Sequence, residues 1–104
     1  MEINGVDLQS KIDNGEKVIV EMYAEWCGPC KMLKPTFEKV ANENTTDVQM
    51  YTMDIEENRD FVIKYGVRSI PTIKTFNMGQ VSTTKVGVIS ETQIKELVNE
   101  LINE

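Results

Sequence analysis

Cys27 and Cys30 are the only cysteines of the chain, and they stand with Gly28 and Pro29 between them in the string Trp26-Cys27-Gly28-Pro29-Cys30. Residues three apart on a helix lie on one face. On a first helical turn these two thiols can therefore close into a disulfide or stand open as a dithiol. A C-x-x-C between a strand and a helix reads as a redox motif. A second residue with chemistry is Glu21, which interrupts the apolar run Val18–Tyr23. Such a run suits a strand buried on both faces, where an acid is out of place unless it works. The other reading of Glu21 is an exposed glutamate at a strand edge.

The chain contains no histidine, so the usual general base and the commonest metal ligand are both missing. A cysteine–histidine hydrolase is excluded. A closed zinc site needs four ligands, and two cysteines without histidine supply half of one. No metal is expected, and a metal-binding module is the weaker alternative. The net charge of −6 disfavours nucleic acid or an anionic membrane as a partner. No apolar run is long enough to span a bilayer. Met1–Gly5 lacks the basic and apolar regions of a secretory signal. The expected compartment is the cytoplasm, where a C-x-x-C cycles rather than staying oxidised. At 104 residues the expectation is one domain over 1–104 with an ordinary core.

The elements that must position these residues follow from periodicity. Residues 6–13 allow a short helix, broken by Asn14-Gly15. Val18–Tyr23 is a strand. From Cys27 to Asn44 the residues Met32, Leu33, Phe37, Val40 and Ala41 recur at helical spacing, with Pro35 inside the helix as a bend. Val48–Met53 is a second strand, and Asp54–Asn58 an acidic turn. Asn58 is placed to cap a short helix that runs to Tyr65 and stops at Gly66. Thr72–Phe76 and Gln80–Val86 form a hairpin around Asn77-Met78-Gly79. Ser90 and Gln93 make a capping box ahead of a helix striped with Ile94, Leu97, Val98 and Leu101. Strands alternating with helices, then a hairpin and a helix, give an α/β fold with a mixed sheet.

These pieces together resemble the thioredoxin family over nearly the whole chain. The resemblance is carried by Ala24 to Met32, Pro35, Asp54 to Asn58, Tyr65 to Thr72, and Lys85-Val86-Gly87. It implies a thioredoxin fold: a central mixed sheet of four to five strands flanked by helices on both faces. Only Met1–Asn4 is available for the family's first strand. Three positions depart from the family pattern: Glu21 stands for a buried aspartate, Thr52 for a neighbouring lysine, and Tyr23 for a tryptophan.

The resemblance implies a protein-disulfide reductase that works through Cys27 and Cys30 with no other cofactor. At a helix start, free N–H groups and the helix dipole favour a thiolate on Cys27. Cys27 would attack a substrate disulfide and Cys30 would resolve the mixed disulfide. Glu21 is the best candidate to take the Cys30 proton, directly or through a water. Pro29 suits the first helical turn, and Gly28 lets another backbone come close. Trp26 is either a core aromatic or a shelf beside the cysteines. Ile70-Pro71 is expected as a cis bond facing the cysteines, leaving the Ile70 backbone to pair with an extended substrate; an ordinary trans proline opening a strand is the alternative. Val86, Gly87 and Ile55 are expected to form an apolar docking rim. Lys31 and Lys34 read as solvated helix charges. The partners implied are disulfide-containing proteins and a thioredoxin reductase-like electron donor, with the chain acting as a monomer. A thioredoxin-fold subunit that binds within a larger assembly is the alternative function.

Overall fold

The apolar run Val18–Tyr23 forms the central strand β1, and the other elements are arranged around it. The computed structural model describes residues 1–104. In chain order they form α1 (Gly5–Asp13), β1 (Val18–Tyr23), α2 (Gly28–Glu43), β2 (Gln49–Asp54), α3 (Arg59–Lys64), β3 (Thr72–Asn77), β4 (Gln80–Val86) and α4 (Glu91–Ile102). The sheet order is β2-β1-β3-β4. β1 and β2 run parallel, connected through α2, and the β1–β3 and β3–β4 pairs are antiparallel. This is the mixed sheet that the sequence leads one to expect, with β2 beginning and ending one residue later. No helix is long and apolar enough to cross a membrane.

The sheet has four strands, the lower of the two numbers expected, and at the β2 edge the possible fifth is a single parallel bridge between Glu2 and Thr52. Two bonds carry it: Thr52 N–H to the Met1 carbonyl at 2.8 Å, and Ile3 N–H to the Thr52 carbonyl at 2.9 Å. Pairing stops there because Asn4 turns the chain into α1. Its side-chain oxygen accepts the Asp7 N–H at 2.8 Å as the helix N-cap.

Successive β1 side chains point to opposite faces. Ile19 joins Leu33, Phe37 and Val40 of α2 and Ile94, Leu97, Val98 and Leu101 of α4 in one core. Val18, Val20 and Met22 join Leu8 and Ile12 of α1 and Phe61 of α3 in the other. The alternation places Glu21 and Tyr23 on the Ile19 face, beneath α2. β3 is buried along its length, and its polar residues find partners. Lys74 donates to the Thr84 hydroxyl at 2.9 Å, and the Thr75 hydroxyl accepts the Thr83 N–H at 2.9 Å.

The helices end as their sequences dictate, with one exception. Ser90 and Gln93 form the reciprocal capping box at the start of α4. α2 continues through Pro35. The missing N–H there leaves the Lys31 carbonyl to solvent, which both exposed residues permit. Gly66 sits beyond α3 with φ +66, as a left-handed helix stop requires. The exception is Asn58. It precedes α3 but makes no capping bond with its side chain. Instead its Oδ1 accepts the Gly5 N–H and its Nδ2 donates to the Asp54 carbonyl, each at 2.8 Å. α1 and α3 meet closely at this corner: a Cβ built on Gly5 would lie 2.9 Å from the Phe61 Cβ. The orphan N–H of α1 is enclosed by that contact, and Asn58 is the acceptor within reach. Asn58→Ala leaves the Gly5 N–H and the Asp54 carbonyl without this partner. It should cost about 1–3 kcal/mol, read as a lower urea midpoint at unchanged m-value.

Candidate active site

α2 begins immediately after the turn that follows β1, so its N-terminus lies at the carboxyl end of the central strand. Cys27 is the N-cap residue, and its sulfur accepts the Cys30 N–H at 3.2 Å. Sulfur therefore occupies the place where a serine or aspartate oxygen usually satisfies a free helix N–H. Cys27 and Cys30 are joined as a disulfide, with their Cα atoms 5.3 Å apart. Pro29 lies in the first turn of α2, where a missing N–H costs nothing.

Both cysteines are almost wholly buried and share a small apolar cluster with Ala24, against which Tyr23, Ile55 and Ile70 pack. Ile70-Pro71 is a cis bond, and the Ile70 carbonyl oxygen lies 3.9 Å from Cys27 Sγ. Neither the N–H nor the carbonyl of Ile70 has a backbone partner. Gly87 donates its N–H to the Pro71 carbonyl at 2.8 Å and adopts φ +93, which ties the end of β4 to the proline. Gly28 is exposed, with nothing within 4 Å of where a Cβ would stand. Trp26 is 66% exposed, which removes the core reading, and Val86 is 63% exposed. Both face solvent outside the cysteine cluster. Ile55 and Ile70 are thus brought to the cysteines directly, while Gly87 is held to Pro71 and Trp26 and Val86 are open to solvent.

Glu21 is 1% exposed, so it is not an edge residue. It faces a cavity of about 70 Å³ whose lining includes Cys30, Lys31, Lys34, Tyr23 and Thr52. That space is large enough for water. The Glu21 Oε2 has no hydrogen-bond partner. Burial, followed by repulsion from Glu38, pushes its carboxyl up to about 7, while Lys34 pulls the other way and Glu2 adds to the rise. Lys31 and Lys34 are exposed as expected, but they also border this cavity, so Lys34 is more than a solvated charge. A larger open cleft of about 970 Å³ between α1 and α3 contains neither cysteine nor Glu21.

One part of the site was not anticipated from sequence. The Tyr23 hydroxyl donates to the Glu2 carboxylate, 2.9 Å from Oε1 and 2.8 Å from Oε2. The Thr52 hydroxyl donates to the same Oε1 at 2.9 Å. Burial and the Glu2 bond both raise the Tyr23 pKa. The available signal was register: Glu21 pairs with Thr52, and Tyr23 lies two residues along the same strand face.

The raised Glu21 carboxyl has a consequence for stability. Its usual value is 4.5, so between pH 4.5 and about 7 the folded chain binds a proton that the unfolded chain has released. Stability from this group is complete below pH 4.5 and is lost as pH rises through about 7. The full loss is on the order of 3 kcal/mol. Glu91, held down to about 2 by Lys95 and Lys39, acts in the opposite sense and below pH 4.5. Glu21→Gln removes the buried titration. Its melting temperature relative to the parent chain should climb from pH 5 to pH 7.5 and then level off; a constant difference would contradict the buried charge.

The comparisons agree with this geometry. The Thioredoxin family model matches residues 1–100. A thioredoxin of Haemophilus influenzae is 35% identical over 103 residues, covering 98% of this chain and 96% of its own length. A thioredoxin of Pseudomonas aeruginosa is 46% identical over 77 residues, covering 74% of this chain and 71% of its own. Among solved structures, a mutant thioredoxin from Halobacterium salinarum superposes with a TM-score of 0.80 at 33% identity, over 92% of this chain and 83% of that one.

Proposed function

The chain belongs to the thioredoxin family and is a thiol–disulfide oxidoreductase working through its own cysteine pair, and on that premise we propose a division of labour within the site. Cys27 is the nucleophile. In the dithiol form its sulfur keeps the N-cap position, where the Cys30 N–H and the dipole of α2 favour a thiolate. It attacks one sulfur of a substrate disulfide, forming a mixed disulfide and releasing the substrate's other sulfur as a thiolate. Cys30 gives its proton to Glu21 through water in the shared cavity and attacks Cys27 Sγ. The Cys27–Cys30 disulfide forms, and the substrate leaves with both sulfurs reduced. The observation that carries this reading is the N-cap sulfur over a buried carboxylate that borders Cys30.

Substrate docks where the Ile70 backbone is unpaired, as a short added strand. Trp26, Gly28, Pro29, Ile55, Pro71, Val86 and Gly87 frame that contact. The half-buried Ile55 and exposed Val86 and Trp26 supply an apolar rim, and the open space at Gly28 admits the partner's backbone. The chain acts in the cytoplasm as a monomer and one domain over 1–104. It is recharged by a thioredoxin reductase-like donor and spends its electrons on protein disulfides. The binding-subunit alternative is not favoured by the named relatives.

Cys30→Ser should stop turnover while holding substrate proteins on Cys27 as mixed disulfides that dithiothreitol releases, and Cys27→Ser should trap nothing. If both variants trap equally, the assignment of nucleophile and resolving thiol is wrong. Glu21→Gln should slow reduction of a protein disulfide by about 10-fold or more near neutral pH, with the loss shrinking as pH rises toward the free-thiol range. A pH–rate profile identical to that of the parent chain would remove Glu21 from the mechanism.

A further inference from the structure

Glu2, Thr52 and Glu21 form one row across the sheet. Glu2 bridges to Thr52, and Thr52 is the register partner of Glu21. Side chains in such a row share a face. Here that face carries the cavity bordering Cys30, and all three residues line it. The two carboxylates stand two strands apart, roughly 10 Å between backbones, with a single hydroxyl between them. That hydroxyl gives its hydrogen to Glu2 at 2.9 Å. The Tyr23 hydroxyl on the same face does likewise. Glu21 Oε2, buried at the cavity that Thr52 and Tyr23 also line, is left with no partner. Glu2 is exposed and takes part in none of the ion pairs of the chain, so its charge meets solvent on one side and these hydroxyls on the other.

We propose that Glu2 is a positioning residue for thiol–disulfide exchange: by engaging the Thr52 and Tyr23 hydroxyls it denies Glu21 two donors that line the same cavity and keeps a second negative charge on the same face, so that Glu21 holds its proton more tightly. A carboxylate that accepts hydrogen bonds ionises more readily, and one beside a like charge less readily. Glu2 acts in the second sense directly and in the first by competition. The other charges facing Glu21 are Lys31, Lys34 and Glu38 of α2 and Glu25 of the turn, while Asp54 of β2 acts on Tyr23; Lys34 opposes Glu2 and Glu38 reinforces it. Asp54 has its own partner in the Glu56 N–H at 2.8 Å. This inference rests on the reading of Glu21 as the proton acceptor for Cys30 only in its link to rate.

The test is carbon-13 NMR titration of the Glu21 carboxyl in the intact oxidised protein, assigned with Glu21→Gln, alongside the pH profile of protein-disulfide reduction. Glu2→Ala frees the hydroxyls and removes the charge, and should move the Glu21 titration down by about one pH unit. Glu2→Gln keeps an acceptor for both hydroxyls and removes only the charge, and should move it less than half as far. Adding Thr52→Val to Glu2→Ala removes the released donor and should restore part of the shift. The inference is overturned if Glu2→Ala lowers the melting temperature without moving the titration, or if Glu2→Gln shifts it as far as Glu2→Ala. If the titration moves and the pH–rate profile stays in place, the hold of Glu2 on the Glu21 proton stands, while its role in thiol–disulfide exchange fails together with that of Glu21 as proton acceptor.

Discussion

Strand β1 is covered by α2 and α4 on one face and by α1 and α3 on the other, and a strand enclosed in this way must satisfy its polar atoms from within the protein. Five of its six residues are buried. Four of those five are apolar and tie the two cores together. The fifth is Glu21. A carboxyl group placed there cannot reach solvent as an ordinary acid does, and its proton becomes part of the folded structure. The position of α2 follows from the same constraint: Leu33, Phe37 and Val40 must cover the Ile19 face. Seating them brings the N-terminus of α2, and with it both cysteines, over the end of β1.

The site is thus a meeting of two opposed electrostatic environments across a short distance. At the start of α2 the free N–H groups and the dipole favour negative charge on Cys27. In the cavity beneath, burial and the carboxylates of Glu38 and Glu2 disfavour it on Glu21. The arrangement keeps the N-cap sulfur and the buried carboxyl apart, with Cys30 bonded to the one through its N–H and sharing a cavity with the other. The three positions at which the sequence reading marks a departure from the resemblance fall on this lower half. Glu21, Tyr23 and Thr52 all line one cavity, while the Trp26–Cys30 string keeps the family's form.

Local sequence foretold much of the fold because the signals are strong and short-ranged. The apolar run of β1, the Ser90–Gln93 capping box, the Gly66 stop and the Met78-Gly79 turn each act within a few residues, and each appears as expected. The expectations that failed involve competition between distant parts. Asn58 was placed to cap its own helix by sequence, yet its side chain serves Gly5 and Asp54, because an enclosed N–H of α1 is costlier to leave bare than an exposed one at α3. The sheet, by contrast, has four strands, within the four to five expected, and its edge carries only one further bridge because Asn4 diverts the chain into α1. Lys34 has no visible role on a helical wheel, and acquires one only when α2 settles over β1.

Sequence by itself determined the redox chemistry, the class of fold and the anomaly at Glu21. Two cysteines at helical spacing, no histidine and an acid inside an apolar run leave little latitude, since each reports on residue type and local period. Tertiary structure alone decided what surrounds that acid. Whether Thr52 and Tyr23 donate to Glu21 or to Glu2 depends on strand register and on the first residues lying against β2. Hydrogen bonds and charges between elements far apart in the chain are set by packing, and no local pattern encodes which of two carboxylates a shared hydroxyl will choose.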